Sequence, residues 1–449
     1  MPPLARPVMA DWDANPAPEA PVTPESLKEA GLSASLVSEL ILRTIYFRGP
    51  QVGRDLAKFL CLPFKIIREP IQFLKAEKCI QVDGGDLVGE VSYRYSLTDL
   101  GRGRAHDLVK QCAYVGPAPV PLEDYVEQCY RQTVTGLSCY PEALKAPFRH
   151  LVIREELFNA IGPAIISGRS VFIYGPPGNG KTAIARSIGE YMNSAGGSIY
   201  IPHAFVADGN IITMYDPSLH TVDDSPSEFG DDGDTAVRRL LSDGAMDERW
   251  VKIRRPVIVV GGELTLEMLD LRFNREANFY QAPIHFKANG GVFLIDDFGR
   301  QIVSPKDLLN RWILPLEDRH DFLTVATGKK FQVPFEQLII FSTNLDPKAL
   351  VDDAFLRRIR HKVGIFAPAR DVYEKIFAAV CKRLDMNYCP EAVDYLYERY
   401  YARGRVPRAS DCRDLLETVQ SICRYRRQPV HLTKDLIAEA SASFIAEFN

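Results

Sequence analysis

The residues best suited to chemistry lie in one short segment, Gly175-Pro176-Pro177-Gly178-Asn179-Gly180-Lys181-Thr182. An apolar run at 171–174 predicts a buried strand before it, and an alanine-rich run from Ala183 to Tyr191 predicts a helix after it. Glycines in this context let backbone N–H groups surround phosphate oxygens, and the helix N-terminus adds positive potential. Lys181 would reach the β- and γ-phosphates, and the Thr182 hydroxyl would bind Mg²⁺. The segment predicts a nucleoside triphosphate site.

Two further apolar runs end in polar side chains. Residues 291–295 precede Asp296 and Asp297, and residues 338–343 precede Asn344. Because parallel strands present their carboxyl ends at one ligand-binding edge, we expect Asp296 near the Mg²⁺ and Asp297 orienting the attacking water. Asn344 could contact that water or the γ-phosphate. Its alternative role is to cap the turn that follows.

Arg357 and Arg358 follow the third of these segments, beside apolar residues. Exposed arginines most often form surface salt bridges. They can also stabilise transition-state charge on a nucleotide held by a neighbouring subunit. Both interpretations stay open from the residue pattern.

These residues need elements to position them, and the chain divides into five predicted parts. Residues 1–30 are rich in Pro and Ala and read as a disordered leader. Residues 31–112 predict three helices and a β-hairpin, the layout of a winged-helix domain. The third helix, about 64–78, has a net charge of only about +2, so a protein-docking or oligomer-facing role is favoured over DNA contact.

The remaining parts surround the chemistry. Residues 113–147 hold many prolines and aromatics and predict an ordered linker clamped onto its neighbours. Residues 148–368 predict an α/β nucleotide-binding domain, a parallel sheet flanked by helices. Residues 369–449 contain four helical stretches and predict a small helical lid.

Composition limits the class of protein. The chain has 449 residues and a formal net charge of −4, so the whole molecule is not a polycation that seeks nucleic acid. Its nine cysteines show no zinc-type spacing, as in reduced proteins of the cytoplasm. No run has the roughly 18–20 apolar residues of a membrane span, and no signal peptide is visible. We expect a cytoplasmic protein.

The motifs taken in order resemble those of an AAA+ ATPase over roughly residues 148–449. GPPGNGKT, FLIDD, FSTN and AFLRR are similar to Walker A, Walker B, sensor 1 and the arginine finger, and Arg408 resembles the sensor 2 arginine of the lid. A predicted β-hairpin at 322–334, before sensor 1, and the segments around it are similar to MoxR proteins and bacterial enhancer-binding activators. The resemblance implies ATP and Mg²⁺ at the subunit interfaces of a ring, usually a hexamer. It implies Arg358 as the finger, with Arg357 second.

The chain departs from the family pattern in two ways. Asp297 stands where the family usually has Glu, and its shorter side chain predicts slow or switch-like hydrolysis. The stretch between Thr182 and Asp296 is longer than usual, with a predicted hairpin at 205–214 and an acidic run at 216–234. That run reads as a solvated loop or as a partner contact. Phe279-Tyr280 reads equally as a pore loop or as buried packing.

Three functions follow from these features. The favoured one is an ATP-driven ring that remodels a protein client, chosen by the winged helix and inserts. The competing one is a regulator whose winged helix binds nucleic acid. The third is a nucleotide-gated scaffold that barely hydrolyses ATP, motivated by Asp297.

Overall fold

The computed structural model describes residues 18–84, 89–224, 246–350 and 356–444. Its first part contains helices around a small antiparallel sheet of order β1-β3-β2. The elements are α1 (Ala34–Arg48), β1 (Gln51–Val52), α2 (Gly53–Leu60), α3 (Phe64–Ala76), β2 (Ile80–Val82), β3 (Arg94–Leu97) and α4 (Asp99–Gln111). The second strand of the predicted hairpin, β3, begins at Arg94, after a 3₁₀ turn at residues 90–92. The assignment of this part to the winged-helix class stays a prediction.

The middle of the chain carries most of the strands. In chain order, its helices and strands are β4 (Val120–Pro121), α5 (Leu122–Arg131), α6 (Pro141–Lys145), α7 (Glu155–Ser167), β5 (Ser170–Tyr174), α8 (Lys181–Gly196), β6 (Ile199–Pro202), β7 (Ala204–Ala207), β8 (Asn210–Thr213), β9 (Trp250–Ile253), β10 (Val257–Val260), β11 (Arg272–Asn274), β12 (Phe279–Gln281) and β13 (Val292–Ile295).

The last third returns to helices. Its elements are α9 (Pro305–Arg311), α10 (Ile313–Asp318), β14 (His320–Thr324), β15 (Lys330–Pro334), β16 (Leu338–Thr343), α11 (Pro347–Leu350), β17 (His361–Gly364), α12 (Arg370–Arg383), α13 (Pro390–Arg399), α14 (Ala409–Tyr425) and α15 (Lys434–Phe444). Strands β14 and β15 form the expected antiparallel hairpin before β16. Within the described ranges, no helix is both long and apolar enough to cross a bilayer.

Five parallel strands form the central sheet in the order β10-β13-β16-β5-β17. The first of them along the chain, β5, therefore lies between the fourth and the fifth. Alternate residues of β5 pack on opposite faces: Val171 and Ile173 contact the core that includes α7 and α8, whereas Phe172 packs toward Trp312. The expected α/β class, a parallel sheet flanked by helices with a helical C-terminal region, is confirmed.

A second sheet, of order β11-β12-β8-β7-β4, takes four of its five strands from the stretch between α8 and β13. Its β7–β8 turn at Asp208-Gly209 has positive φ at both residues, as the sequence predicts for a tight hairpin. Strand β4 comes from the 113–147 segment and pairs with β7, and Tyr125 of that segment is buried against Phe205. This pairing and packing fasten the segment to the second sheet.

Part of the expected leader is ordered, which corrects the expectation of disorder for residues 18–30. The Ala30 carbonyl accepts a hydrogen bond from buried Arg249 (2.8 Å), and Val22 forms a β-bridge with Met246. Arg249 is also paired with Asp247. A buried guanidinium needs such acceptors, and the leader supplies one of them. Most of the acidic run, from residue 225 to 234, lies outside the described residues.

Candidate functional site

The glycine-rich segment, the predicted phosphate loop, forms a loop between β5 and α8. Gly175, Gly178 and Gly180 have φ values of 140°, 81° and 82°, a region that residues with a Cβ rarely adopt. Helix α8 begins at Lys181, whose ammonium donates to the carbonyls of Gly175 (2.9 Å) and Pro176 (3.0 Å). The lysine is therefore folded back over its own loop.

The side chains that follow β13 meet this loop. The Thr182 hydroxyl donates to Asp296 Oδ2 at 2.7 Å, and Asp296 Oδ1 accepts from the backbone N–H of Asp297 at 3.1 Å. Asp297 itself has φ +48°, in the left-handed region where Asp and Asn are enriched. Thr182 and Asp296 thus present neighbouring oxygen atoms, the ligand type that Mg²⁺ prefers.

Asn344 connects the lysine to the second carboxylate. Its Oδ1 accepts a hydrogen bond from the Lys181 ammonium, and its Nδ2 donates to Asp297 Oδ1 at 2.6 Å. The amide thus uses its acceptor and its donor on two groups of opposite charge. This relay is more specific than either role predicted for Asn344, and the structure brings all three side chains together.

The order of the central sheet explains this convergence. Strands β13, β16 and β5 are adjacent, and their registers pair Ile295 with Phe341 and Thr343 with Tyr174. Each strand therefore ends at the same edge as the strand beside it. Asp296, Asn344 and the phosphate loop follow directly from those ends, so parallel pairing alone brings them together.

The electrostatics of Lys181 reflect this position. Burial lowers the pKa of its ammonium, whereas the carboxylates of Asp297 and Asp296 act in the opposite direction, and the net pKa lies below its usual value. A bound phosphate would add negative charge next to the ammonium. The site therefore fits a polyanion together with a divalent cation.

The C-terminal helical region, the predicted lid, contacts the phosphate loop directly. The Asn179 Oδ1 accepts a hydrogen bond from the Ala409 N–H (3.1 Å) at the start of α14, and the Gly178 carbonyl accepts from the Ser410 N–H (2.8 Å). A Cβ on Gly178 would lie 2.5 Å from the Ser410 Oγ and 3.3 Å from Arg408 Cδ. The predicted lid residue Arg408 is thus beside the loop.

Arg357 and Arg358 lie elsewhere. The Arg358 carbonyl accepts a hydrogen bond from the Ser170 hydroxyl (3.5 Å) at the first residue of β5, whereas the phosphate loop follows the last. The Arg358 guanidinium contacts Glu317 at 2.5 Å, in a cleft of about 510 Å³ that also includes Arg357. The two arginines are therefore at the opposite edge of the sheet from this chain's own loop.

Several contacts at the site were not predicted from the sequence. The Gln301 amide donates to the carbonyls of Asp296 and Asp297, Glu317 is the partner of Arg358, and Ser410 contacts the loop. Only Gln301 carried a local signal, a polar residue in the turn after the acidic pair. Phe279 and Tyr280 both lie in β12, where Tyr280 is 4% exposed and Phe279 is half-buried against Tyr114, an arrangement that favours the packing alternative.

Comparisons with known proteins add the following. A family described as a domain of unknown function (DUF8689) matches residues 369–443, the described helices of the lid. No curated protein matches.

Among solved structures, the chain is similar to the Holliday junction branch migration motor RuvB of Thermotoga maritima, at 13% identity and a TM-score of 0.36, over 68% of this chain and 70% of that one. It is also similar to domain III of the Thermotoga maritima replication initiation protein DnaA, at 14% identity and a TM-score of 0.35, over 68% of this chain and 98% of that one. At these values the likenesses carry no argument about function.

Proposed function

We propose that this chain is an AAA+ ATPase that binds ATP and Mg²⁺ in the loop Gly175 to Thr182 and hydrolyses ATP in a ring of copies. The observation that carries the proposal is the cluster of Lys181, Thr182, Asp296, Asp297 and Asn344 at one edge of a parallel sheet. A purely structural cluster at this place would not need a glycine loop with three positive φ values.

Each of these residues would have its own role in phosphoryl transfer. Bound Mg²⁺ would neutralise charge on the phosphates, and Thr182 and Asp296 are the side chains that would hold it. The Lys181 ammonium would exchange the carbonyls of Gly175 and Pro176 for phosphate oxygens. Asp297 would accept the proton of the attacking water, and Asn344 would orient Asp297 through their hydrogen bond.

Arg358 would act on the site of a neighbouring copy. It lies at the amino edge of the sheet, and β5 alone spans five residues, roughly 13 Å, between that edge and the loop. In a ring, this edge of one copy would face the carboxyl edge of the next. Arg408, beside Gly178, would contact the γ-phosphate within its own copy.

Mixing variants tests the shared site. Arg358→Ala should leave ATP binding intact and reduce hydrolysis roughly 10³-fold, because it removes transition-state stabilisation only. Arg357→Ala should have the smaller effect. An equimolar mixture of Arg358→Ala and Asp297→Asn proteins should recover part of the activity, since some interfaces then pair an intact arginine with an intact carboxylate. No recovery in a confirmed assembly would contradict a shared site.

A protein client remains the favoured substrate, and a cytoplasmic location the favoured compartment. On α3, the helix that would read DNA, Lys65 and Arg68 are paired with Glu25 (3.2 Å) and Glu90 (2.6 Å). These pairs reduce its basic charge, which argues against the nucleic-acid regulator acting through this helix. The Asp297→Asn protein, loaded with ATP and used as bait, should retain a client that ADP-loaded protein releases. Equal retention in both states would contradict nucleotide-driven remodelling.

A further inference from the structure

The lid has a strongly basic end that the proposed ATPase does not use. Helices α12 and α14 begin beside each other, where the Cys412 thiol in the first turn of α14 lies 4.0 Å from the Tyr373 carbonyl near the start of α12. At their other ends, Asn387 and Leu432 exchange two hydrogen bonds, of 2.8 and 3.2 Å, that join the loops after the two helices. Both helices therefore end at one pole of the lid.

This lid pole collects positive charge. Its cations are Lys382, Arg383, Arg424, Arg426, Arg427 and Lys434, all exposed. The carboxylates there are Asp385, Asp435 and Glu439, and Glu439 is paired with Arg426 at 2.5 Å. Cations in a last helical turn can simply complement the helix dipole. That explanation does not apply to Lys434, which is the first residue of α15 and so lies at a helix N-terminus. The pole is thus locally basic in a chain whose net charge is −4.

An exposed aromatic ring accompanies these cations. Tyr425 is 89% exposed, the largest value of any large apolar side chain in the described ranges, and three arginines flank it in the run Arg424-Tyr425-Arg426-Arg427. Packing cannot account for a ring in this position, because almost all of it faces solvent. An exposed ring on the same helix end as these arginines provides a stacking surface near phosphate-binding cations.

We propose that the lid pole binds single-stranded nucleic acid, with the arginines on phosphates and Tyr425 stacked on a base. An acidic peptide would form ion pairs with the arginines, but its carboxylates would not stack on the exposed ring. A duplex hides the faces of its bases inside the stack, and the pole is built from helix ends and loops rather than a helix side that could enter a groove. An unpaired strand offers phosphates to the arginines and exposed base faces to the ring.

The position of the pole is compatible with ATP binding. Helix α14 spans 17 residues, roughly 25 Å, and its first turn contacts the phosphate loop while its last turn carries the pole. A bound strand would therefore leave the nucleotide site open. Movement of the lid during the ATP cycle would also move the strand.

The test is fluorescence anisotropy of the full-length protein with a labelled single strand of about 20 nucleotides, longer than the footprint of most single-strand binders. We expect binding that weakens between about 50 and 200 mM salt. Tyr425→Ala should weaken binding roughly tenfold, and Tyr425→Phe, which keeps the ring, should not. Replacing Arg424, Arg426 and Arg427 with Gln should reduce the salt slope by about 2.

A matched variant on α3 separates this site from the winged-helix-like part. Lys65→Gln/Arg68→Gln should bind like the unmodified protein. The proposal is overturned if no strand binds at about 50 mM salt. It is equally overturned if the α3 variant, rather than the lid variants, loses binding. An acidic peptide that binds as tightly and ignores Tyr425→Ala would assign the pole to protein instead.

Discussion

Among single residues, Asp297 is the one at which the site departs from the pattern of the family it resembles. Its φ of +48° lies in the left-handed region, which Asp tolerates better than Glu because its short side chain can bond locally. The same carboxylate accepts a 2.6 Å hydrogen bond from Asn344. The aspartate therefore suits this turn, and the expectation of slow hydrolysis from a short side chain stays a prediction.

Asp297→Asn should keep the turn, because Asn also tolerates positive φ, while removing the charge that polarises water. We expect ATP hydrolysis to fall roughly 10²-fold or more, with nucleotide affinity changed by only a few-fold. Steady-state turnover and equilibrium titration of the same preparations measure the two effects. Asp346→Asn, at an exposed turn nearby, is the matched control and should hydrolyse normally. Undiminished turnover of Asp297→Asn would remove Asp297 from the reaction.

Among the elements, the phosphate loop and helix α14 are joined by one side chain, that of Asn179. Its amide oxygen accepts a hydrogen bond from the first N–H of α14, whereas Arg408, the residue just before the helix, makes no side-chain cap. The phosphate loop is thus hydrogen-bonded directly to a lid helix. A conformational change in the loop would therefore act directly on the first turn of α14 and on Arg408 beside it.

Asn179→Ala should loosen the lid without destroying the fold. Loss of a helix cap costs about 1 kcal/mol, so we expect faster amide hydrogen exchange in the first turn of α14. Asn179→Asp, which keeps an acceptor, should retain protection. Exchange followed by mass spectrometry over residues 408–415 measures this, with α15 as an internal reference. Unchanged protection in Asn179→Ala would mean that the lid docks by other contacts.

A second element depends on buried charge. Asp321 of β14 is 2% exposed and accepts hydrogen bonds from Arg311 of α9 (2.5 and 2.9 Å) and His285 (3.1 Å). Burial opposes its ionisation, but these hydrogen bonds outweigh burial and hold the pKa of Asp321 below its usual value. The ion pair fastens the β14–β15 hairpin to the helix beside the central sheet.

Asp321→Asn should therefore destabilise the protein by about 3 kcal/mol at neutral pH. Because the folded-state pKa is depressed, this contribution is present in full above the unfolded pKa of about 4 and is lost as pH falls through the folded pKa. Urea unfolding of both proteins should show their difference shrinking below about pH 4. A difference that does not change with pH would mean that the effect comes from packing and not from ionisation.

The sequence predicted the elements better than their connections. The strands before Asp296 and Asn344, the loop and helix α8 were visible because each carries a local apolar pattern bounded by glycine or polar residues. The pairing of β4 with β7, the Glu317–Arg358 contact and the Asn179 cap join residues far apart in the chain. No local pattern encodes such contacts, since they depend on where the completed sheet brings each loop.

In the whole molecule, the proposed ATP hydrolysis requires three regions to meet at one loop. The central sheet supplies Asp296, Asp297 and Asn344, the lid supplies the first turn of α14, and a neighbouring copy would supply Arg358. The first two meetings are present within one chain. Arg358, at the opposite edge of the sheet, can complete a site only through assembly, so activity should depend on protein concentration.

The most direct test of the central claim is calorimetric titration of ATP with Mg²⁺ into the unmodified protein, Lys181→Ala and Lys348→Ala. Lys348 is an exposed lysine near the site and serves as the control. Circular dichroism would verify that all three proteins fold. We expect Lys181→Ala to weaken ATP binding roughly 100-fold, by the loss of charged hydrogen bonds worth about 3 kcal/mol, and Lys348→Ala to change nothing. Folded Lys181→Ala protein that binds ATP as tightly as the unmodified chain would contradict the assignment of this loop.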